Sequence, residues 1–292
     1  MYEIGQTLSL QLIPAEVTVE ARIHDLPVKF SLSAGMVVDI LSHPPSLDLP
    51  SRAFLKLYDH RCASQYRSEQ KLGDRTPGVE KQPLNLSRSG EASTFLQSAQ
   101  KEASLWDDLK GDFEMEANAY EELREHQGHL IPRLYSKVEY FTNPADGEPL
   151  GDTPELSTVP GIVLEYIDGF RMSDLPKHVD RSEWNYVVSR AVQVTGAVLN
   201  KSRVLNKDVR PDNMLVTRDE TVERGYRLVM IDFGCCELRE EGTSDEEWGR
   251  EKNGWDEEGA MGKIMKIKLK EVGFQLEYDR PRTWAAFADR EV

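Results

Sequence analysis

The fold is decided by two short stretches of sequence: residues 206–216, Asn-Lys-Asp-Val-Arg-Pro-Asp-Asn-Met-Leu-Val, and residues 231–234, Ile-Asp-Phe-Gly. The first follows a segment with apolar residues at helical spacing, which predicts a long helix over about 182–201. The apolar end of the first stretch and the apolar run 228–231 flank a charged turn, which predicts a β-hairpin. We therefore expect two loops, one after the helix and one after the hairpin.

Three side chains in these loops carry oxygen atoms suited to phosphate and metal chemistry. Asn213 and Asp232 would supply two ligands from neighbouring loops, which suits a hard cation such as Mg²⁺ that keeps several waters and bridges phosphates. Asp208 lies five residues before Asn213 and is placed to orient a hydroxyl group and take its proton. Gly234 would let the backbone turn tightly behind Asp232.

The N-terminal part of the chain reads as β-structure. Three segments before residue 60 alternate apolar with polar residues, and a mainly apolar run follows a proline-rich loop, so a twisted antiparallel sheet is expected. These segments are 8–12, 17–23, 28–32 and 53–58. Residues 64–104 are polar and predict an exposed insertion, partly disordered.

Helices dominate the rest of the chain. Apolar residues from Trp106 onward share one helix face, which predicts a helix ending near Gly128. We expect strands at 134–141 and 161–167, separated by a loop at 143–160. A last helix is expected at about 256–272. Asp256 is its predicted N-cap, and Ser182 is the predicted N-cap of the helix over 182–201.

Composition limits the classes of protein that fit. The 292 residues carry a net charge of −15, and no apolar run approaches the ~18 residues of a membrane helix. The charge counts against nucleic acids and anionic membranes as partners. Three cysteines cannot form a disulfide framework, and the first residues lack a signal-peptide pattern, so an intracellular, cytoplasmic or nuclear location is expected. Residues 237–258 hold ten acidic and three basic residues, and form either a recruitment surface for a basic acceptor or a solvated face.

The two opening stretches resemble the catalytic core of the protein-kinase-like superfamily. Residues 206–216 are similar to its catalytic loop, H-R-D-x-x-x-x-N, and 232–234 read D-F-G. The resemblance implies a single α+β bilobal domain that binds ATP and Mg²⁺. Its antiparallel-sheet N-lobe, residues 1–164, would hold one regulatory-type helix and the insertion at 64–104, and residues 165–292 would form a reduced, mainly helical C-lobe.

The resemblance also implies a lysine–glutamate pair. Lys56, in Ala-Phe-Leu-Lys at 53–56, stands where the family has the strand lysine that grips the nucleotide phosphates. Glu116 is singled out without the family, because it lies within the apolar stripe of Phe113 and Tyr120 and a buried carboxylate needs a cationic partner. We predict a Lys56–Glu116 pair. The alternative is a glutamate at the edge of the stripe that reaches solvent.

Four further residues take roles from the resemblance. Leu164 would be the gatekeeper beside the adenine, and the backbone of Glu165 and Ile167 would meet the adenine edge. Arg210 would approach the transferred phosphoryl group, with a solvated surface arginine as the alternative. Gly35, in Ser-Ala-Gly at 33–35, would be a reduced version of the glycine-rich phosphate loop.

Residues 55–61, Leu-Lys-Leu-Tyr-Asp-His-Arg, and 116–120, Glu-Ala-Asn-Ala-Tyr, with Gln-Gly at 127–128 and Ile-Pro at 131–132, are similar to fungal kinase-like proteins. So is the acidic helix expected after D-F-G. This resemblance covers roughly residues 25–275, yet the chain departs from ordinary protein kinases. It has no G-x-G-x-x-G loop, and Phe54 replaces the small residue that borders adenine. Asn206 and Lys207 replace the His and Arg of the catalytic loop. No A-P-E motif occurs among the 58 residues after Gly234.

Three functions fit this combination of motifs and departures. The leading hypothesis is an ATP- and Mg²⁺-dependent phosphotransferase acting on a hydroxyl acceptor, a Ser or Thr of a protein. Its catalytic set would be Asp208, Arg210, Lys56 and Glu116. The alternatives are a pseudokinase that senses nucleotide or binds a protein, and a small-molecule kinase. The sequence leaves the oligomeric state open.

Overall fold

The computed structural model describes residues 2–27, 30, 32–45, 47–69, 91–141 and 158–288. Its contacts divide the chain into two compact units. Unit 1 comprises Met1–Glu114 and Leu134–Tyr166, and unit 2 comprises Met115–Arg133 and Ile167–Val292. The stretch Met115–Arg133, which the sequence assigned to the N-terminal part, therefore belongs with the second unit.

Unit 1 is built around a closed six-stranded antiparallel barrel in the order β1-β2-β3-β4-β6-β5. Alternate residues of the first strand are buried in the core of this unit, as period-2 patterning predicts, and these are Leu8, Leu10 and Leu12. The strands are β1 (Thr7–Ile13), β2 (Val17–Asp25), β3 (Ala34–Ser42), β4 (Arg52–Leu57), β5 (Leu134–Phe141) and β6 (Thr158–Glu165).

The third predicted strand is wrong. Val28 lies outside the described residues, and Phe30 and Leu32 belong to no strand in the part of the chain that the structure describes. The strand is β3, whose inward residues include Met36 and Val38. Three alternating residues are too few to define a strand when a longer apolar segment follows directly.

Two helices occupy much of the predicted insertion. Helix α1 spans Ser64–Glu69 and α2 spans Glu91–Glu122, so both ends of the stretch 64–104 are helical, and the insertion itself stays a prediction. Helix α2 starts fifteen residues before Trp106 and ends before the left-handed backbone of Gly128. Residues 70–90 and 142–157, the latter covering most of the predicted loop, lie outside the described residues.

A buried carboxylate follows β4 within unit 1. Asp59 accepts hydrogen bonds from the Tyr2 hydroxyl at 2.8 Å and from the Arg61 Nε and backbone N–H at 2.8 and 2.9 Å. Burial alone would raise the pKa of Asp59, but the hydrogen bonds and charge of Arg61 bring that pKa below its usual value. The carboxylate is therefore held in its charged form inside the unit.

Unit 2 is organised by α4 (Trp184–Leu199), whose buried face includes Val187, Ala191 and Val198. Ser182 is not the N-cap, because it lies inside a short 3₁₀ turn and Glu183 takes the cap position without a side-chain hydrogen bond. The predicted hairpin is present. The other elements are β7 (Phe170–Arg171), α3 (Leu175–His178), β8 (Val204–Asn206), β9 (Met214–Arg218), β10 (Tyr226–Met230), β11 (Cys236–Leu238), α5 (Asp245–Trp255) and α6 (Glu257–Glu271).

Helix α5 lies in the acidic stretch after D-F-G, and Ser244 and Glu247 form a reciprocal capping box at its start. Asp256 precedes α6 as expected, but its carboxylate pairs with Lys263 and Arg280 at 2.6 and 2.8 Å instead of capping the helix. A helix boundary can thus be predicted correctly while the bond assumed to create it is absent.

The C-terminal segment lies against α4, α5 and α6 through aromatic side chains. Phe274 meets the Trp184 ring edge to face, with centroids 5.0 Å apart. Phe287 lies over Gly249, where a Cβ atom would come within 2.4 Å of the ring. Within the described residues, no helix has the length and apolar character needed to cross a membrane.

Candidate functional site

Backbone hydrogen bonds hold the two predicted loops side by side within unit 2. Strands β8 and β11 pair with Asn206 opposite Cys236, and the Lys207 N–H donates to the Cys235 carbonyl at 3.1 Å. The Ile231 N–H donates to the Asn213 carbonyl at 2.9 Å. Loops 206–213 and 231–236 are thereby fixed to each other at both ends.

Three predicted site residues meet in the first loop. Asn213 Nδ2 donates to the Asp208 carboxylate at 2.9 Å and to the Asp208 carbonyl at 3.0 Å. The Arg210 guanidinium lies 3.1 Å from the same carboxylate. The Asn213 Nδ2 donates to Asp208. Oδ1, which carries lone pairs, is therefore the Asn213 atom that can bind a cation.

Asp232 begins the second loop in an unusual backbone conformation. Its φ of +65° lies in the left-handed region, which residues other than glycine rarely adopt. The sequence assigned the tight turn to Gly234, whereas the left-handed residue in this loop is Asp232 itself. A strained residue of this kind is kept where the surroundings fix it, and such residues concentrate at functional sites.

The residues after Asp232 are anchored by α2. Phe233 is buried and meets the Tyr120 ring edge to face, with centroids 5.2 Å apart. Its backbone N–H donates to Glu116 Oε1 at 3.3 Å. Glu116 is fully buried, as its place in the apolar stripe predicted, and not at a solvent-facing edge. The structure thus adds a contact that the sequence did not predict for this glutamate.

Lys56, Gly35 and Phe54 lie in unit 1. Lys56 pairs with Gly35 across β3 and β4, and its ammonium lies 5.6 Å from the centre of the Tyr58 ring. Gly35 is therefore inside a strand and not in a phosphate loop. A Cβ atom there would come within 2.7 Å of the Phe54 ring, so the absent side chain makes room for that ring. The Lys56–Glu116 pair stays a prediction.

The expected adenine-contacting residues lie near the end of β6. Leu164 is buried and pairs with Phe54 on β4, and Glu165 ends the strand in a half-buried position opposite Ala53. Ile167 is buried and belongs to unit 2. Their roles toward adenine stay predictions.

A buried ion pair supports the first loop, and the sequence analysis did not identify it. Lys252 of α5 and Glu257 of α6 are buried, with Nζ 2.6 Å from Oε2. Glu257 Oε1 accepts the Asn206 N–H at 2.6 Å, and Asn206 Oδ1 accepts the Asp208 N–H at 2.8 Å. Burial lowers the pKa of Lys252 and raises that of Glu257, in each case against the attraction of the partner.

A recognisable signal for Lys252 was present in the sequence. It follows Trp248 by four residues, so both lie on one helix face, just as Glu116 lies on the stripe of Tyr120. The acidic residues around Lys252 favour the interpretation of residues 237–258 as a solvated face. That interpretation is wrong for Glu257, which is buried.

The donor set of the two loops fits Mg²⁺. That ion binds through one or two protein oxygens and completes its shell with water and phosphate oxygens. Among the described residues, no group of three or more His, Cys, Asp and Glu side chains could hold a metal ion. Asn213 and Asp232 are a smaller set, of the kind that relies on phosphate oxygens.

Comparisons with known proteins point to one family. A model of the ABC1 atypical kinase-like domain matches residues 95–246, which is 152 of the 292 residues. Two curated proteins are each 29% identical over 84 residues: probable serine/threonine-protein kinases of Clostridium acetobutylicum and Clostridium perfringens. The alignments cover 28% of this chain and 12% and 11% of those proteins, so the chain spans about an eighth of their length.

Solved kinase structures are also similar to the chain. The Rio2 kinase of Chaetomium thermophilum, in a complex described as ADP/Mg²⁺-phosphoaspartate, aligns with a TM-score of 0.46 and 12% identity, over 91% of this chain and 61% of that one. The kinase domain of a Toxoplasma gondii rhoptry antigen aligns with a TM-score of 0.41 and 8% identity, over 82% and 56%.

Proposed function

Because the chain belongs to the ABC1 atypical kinase-like domain family, we propose that it is a phosphotransferase that moves the γ-phosphoryl group of ATP to a hydroxyl acceptor. The observation that carries this proposal is the first loop, where Asn213 is bonded to the Asp208 carboxylate and its carbonyl is bonded to the residue before Asp232. Three oxygen-bearing groups thereby share one rigid arrangement.

The proposed reaction transfers one proton and exchanges one P–O bond for another. The acceptor O–H breaks and its proton passes to the Asp208 carboxylate, while the acceptor oxygen bonds to the γ-phosphorus and the bond to the leaving ADP oxygen breaks. Asn213 holds Asp208 in place through its Nδ2. Arg210, whose guanidinium is about half exposed, has the charge to stabilise the transferred phosphoryl group.

Magnesium completes the proposed chemistry. When bound, it would neutralise charge that develops on the phosphate oxygens. The Asn213 Oδ1 and the Asp232 carboxylate would be its protein ligands. The left-handed backbone of Asp232 and the Phe233 N–H bond to Glu116 support this role for Asp232.

We further propose that the two units correspond to the two lobes of a kinase-like domain, the second being reduced. In this proposal Lys56 anchors the nucleotide phosphates and Glu116 holds Lys56. Leu164, Glu165 and Ile167 would meet the adenine. The acceptor would be a protein Ser or Thr or a small-molecule hydroxyl, and the likeness to fungal kinase-like proteins stays a prediction.

The test is release of labelled phosphate from ATP, or its transfer to the protein itself and to an acceptor panel, in the presence of Mg²⁺. Asp208→Asn should lower the rate by ~10²–10⁴. Asp212→Asn is the matched control, because it neutralises another carboxylate of the same loop. The Asp212 carboxylate accepts the Ser173 hydroxyl and is not part of the proposed catalytic set. Equal rates in wild type and Asp208→Asn would exclude the proposal.

One observation favours a second candidate, a pseudokinase. Gly35 lies inside a strand under the Phe54 ring and not in a phosphate-binding loop. Thermal unfolding with Mg-ATP separates the candidates, since a ligand at a hundred times its dissociation constant adds ~2.7 kcal/mol. A shift in unfolding without turnover favours a nucleotide sensor, and no shift favours a protein-binding module.

A further inference from the structure

The buried pair Lys252–Glu257 continues as a chain of hydrogen bonds that ends at the catalytic candidate. Each bond follows the previous one without a gap: Lys252 Nζ to Glu257 Oε2 at 2.6 Å, Asn206 N–H to Glu257 Oε1 at 2.6 Å, and Asp208 N–H to Asn206 Oδ1 at 2.8 Å. Three elements, α5, α6 and the end of β8, are linked in this way to one loop residue.

We infer that Lys252 and Glu257 are positioning residues for Asp208, acting through Asn206; the inference rests on the proposed function. Neither side chain contacts Asp208. They fix the Asn206 backbone, and Asn206 in turn fixes the Asp208 backbone from which the carboxylate extends.

Lys252 is placed to fix the chain that enters the loop. Its ammonium donates to the Leu199 carbonyl at 3.2 Å and to the Val204 carbonyl at 2.5 Å, in addition to Glu257. Leu199 ends α4 and Val204 begins β8. Two of the three ammonium hydrogens therefore hold the connection that leads into the Asp208 loop, and the third is donated to Glu257.

Stability alone is a poor reason for this arrangement. Buried ion pairs can often be replaced by apolar residues of similar volume without loss of stability, because desolvation offsets their attraction. Glu257 also divides its two oxygens between Lys252 and a backbone N–H, which gives the pair a geometric role that an apolar pair would lack.

Asn206 gives independent support. It is 1% exposed, and its Nδ2 has no hydrogen-bond partner among the described residues. A buried polar group without a partner is costly, and proteins keep such costs mainly where function requires the group. The Oδ1 of the same side chain accepts the Asp208 N–H. That bond explains why a side chain with a buried, unpartnered Nδ2 is kept at this position.

Two double variants separate positioning from packing. Lys252→Met with Glu257→Gln removes both charges and keeps an acceptor for the Asn206 N–H. Lys252→Met with Glu257→Met removes the charges and that acceptor at nearly the same side-chain volume. Circular dichroism and thermal unfolding establish that both are folded.

The readouts are kcat and KM for ATP turnover and amide hydrogen exchange across residues 205–213. We expect the Gln variant to lose less kcat than the Met variant, because it lacks the Lys252 ammonium but keeps the acceptor for the Asn206 N–H. The Met variant should lose kcat by about 10²-fold with KM little changed, because a misplaced base costs rate and not nucleotide affinity. Exchange in the loop should accelerate about 5- to 10-fold in the Met variant.

Asn206→Ala serves as a second, independent test if the Met variant does not fold. It removes the acceptor for the Asp208 N–H and should lower kcat without lowering the melting temperature. Identical kcat and exchange in the two double variants, or an unchanged kcat in Asn206→Ala, would overturn the inference. If wild type shows no turnover, the proposed function fails, and loop exchange alone still decides whether the pair positions Asp208.

Discussion

Asn213→Asp is the sharpest test of the candidate site, because it replaces only the side-chain amide group that faces the Asp208 carboxylate. The Asn213 Nδ2 lies 2.9 Å from the Asp208 carboxylate. A carboxylate oxygen in that position would replace a hydrogen bond by a repulsion of about 6 kcal/mol at an effective dielectric of 20. Because Asp208 is 31% exposed and lies beside Arg210, solvent and that charge reduce the net loss of stability to about 1–3 kcal/mol.

Mg²⁺ should reverse this loss. A third carboxylate beside Asp208 and Asp232 strengthens the attraction for a divalent cation, so the stability of Asn213→Asp should rise more steeply with Mg²⁺ than that of wild type. The measurement is urea unfolding across a Mg²⁺ series. It needs no acceptor, so it tests the metal site apart from the identity of the substrate.

Two controls separate the site from a general effect of charge. Asn213→Ala loses the hydrogen bonds without repulsion and should be destabilised by ~1 kcal/mol with no added gain from Mg²⁺. Asn118→Asp adds the same charge at an exposed position on α2 and should change little. The proposed site is wrong if Asn213→Asp is as stable as wild type without Mg²⁺, or if Mg²⁺ stabilises it no more than Asn118→Asp.

Three more predictions follow from the packing. Asp59→Asn should lower the free energy of unfolding at neutral pH. Arg61 lowers the pKa of Asp59, so the stability that the Asp59 carboxylate contributes is present above pH ~4 and is lost below it. In acid denaturation, the variant should therefore lose less stability below pH ~4 than wild type does. Gly249→Val should displace Phe287 and speed tryptic cleavage of the C-terminal segment, followed by mass spectrometry. Cys235, the exposed thiol, should be alkylated first at pH 8, since burial raises the pKa of both other thiols, and Cys235→Ser should abolish the fast phase.

The parts of the site that the sequence predicted are local in the chain. Asp208, Arg210 and Asn213 lie within six residues, so their meeting depends on one loop whose conformation follows from the Pro211 turn and the flanking strands. Glu116 was predicted to be buried because helical periodicity fixes its face whatever the tertiary partner. Motifs of this kind carry their own geometry.

The parts that the sequence did not predict depend on distant segments. Glu257 meets Asn206 across 51 residues, and Phe233 meets Glu116 across 117. Acidic residues near Glu257 suggested a solvated run, since composition averages over a segment and does not reveal which single carboxylate turns inward. Predicting the contact between Phe54 and Gly35 requires the register of β3 and β4. The alternation of apolar and polar residues alone does not determine that register.

Two buried carboxylates, Glu257 and Glu116, have the same structural effect. Glu257 accepts a backbone N–H at Asn206, and Glu116 accepts one at Phe233, so each loop of the candidate site is held through its main chain by a buried acid. A main-chain anchor does not depend on the side chain of the anchored residue. The anchor from Glu257 therefore holds the main chain at position 206 whether His or Asn stands there, and the Asn206 Oδ1 adds its own bond to the Asp208 N–H. The two departures from the usual motif thus differ in effect: Asn206 positions Asp208 through its side chain, whereas the Lys207 side chain pairs with Glu237.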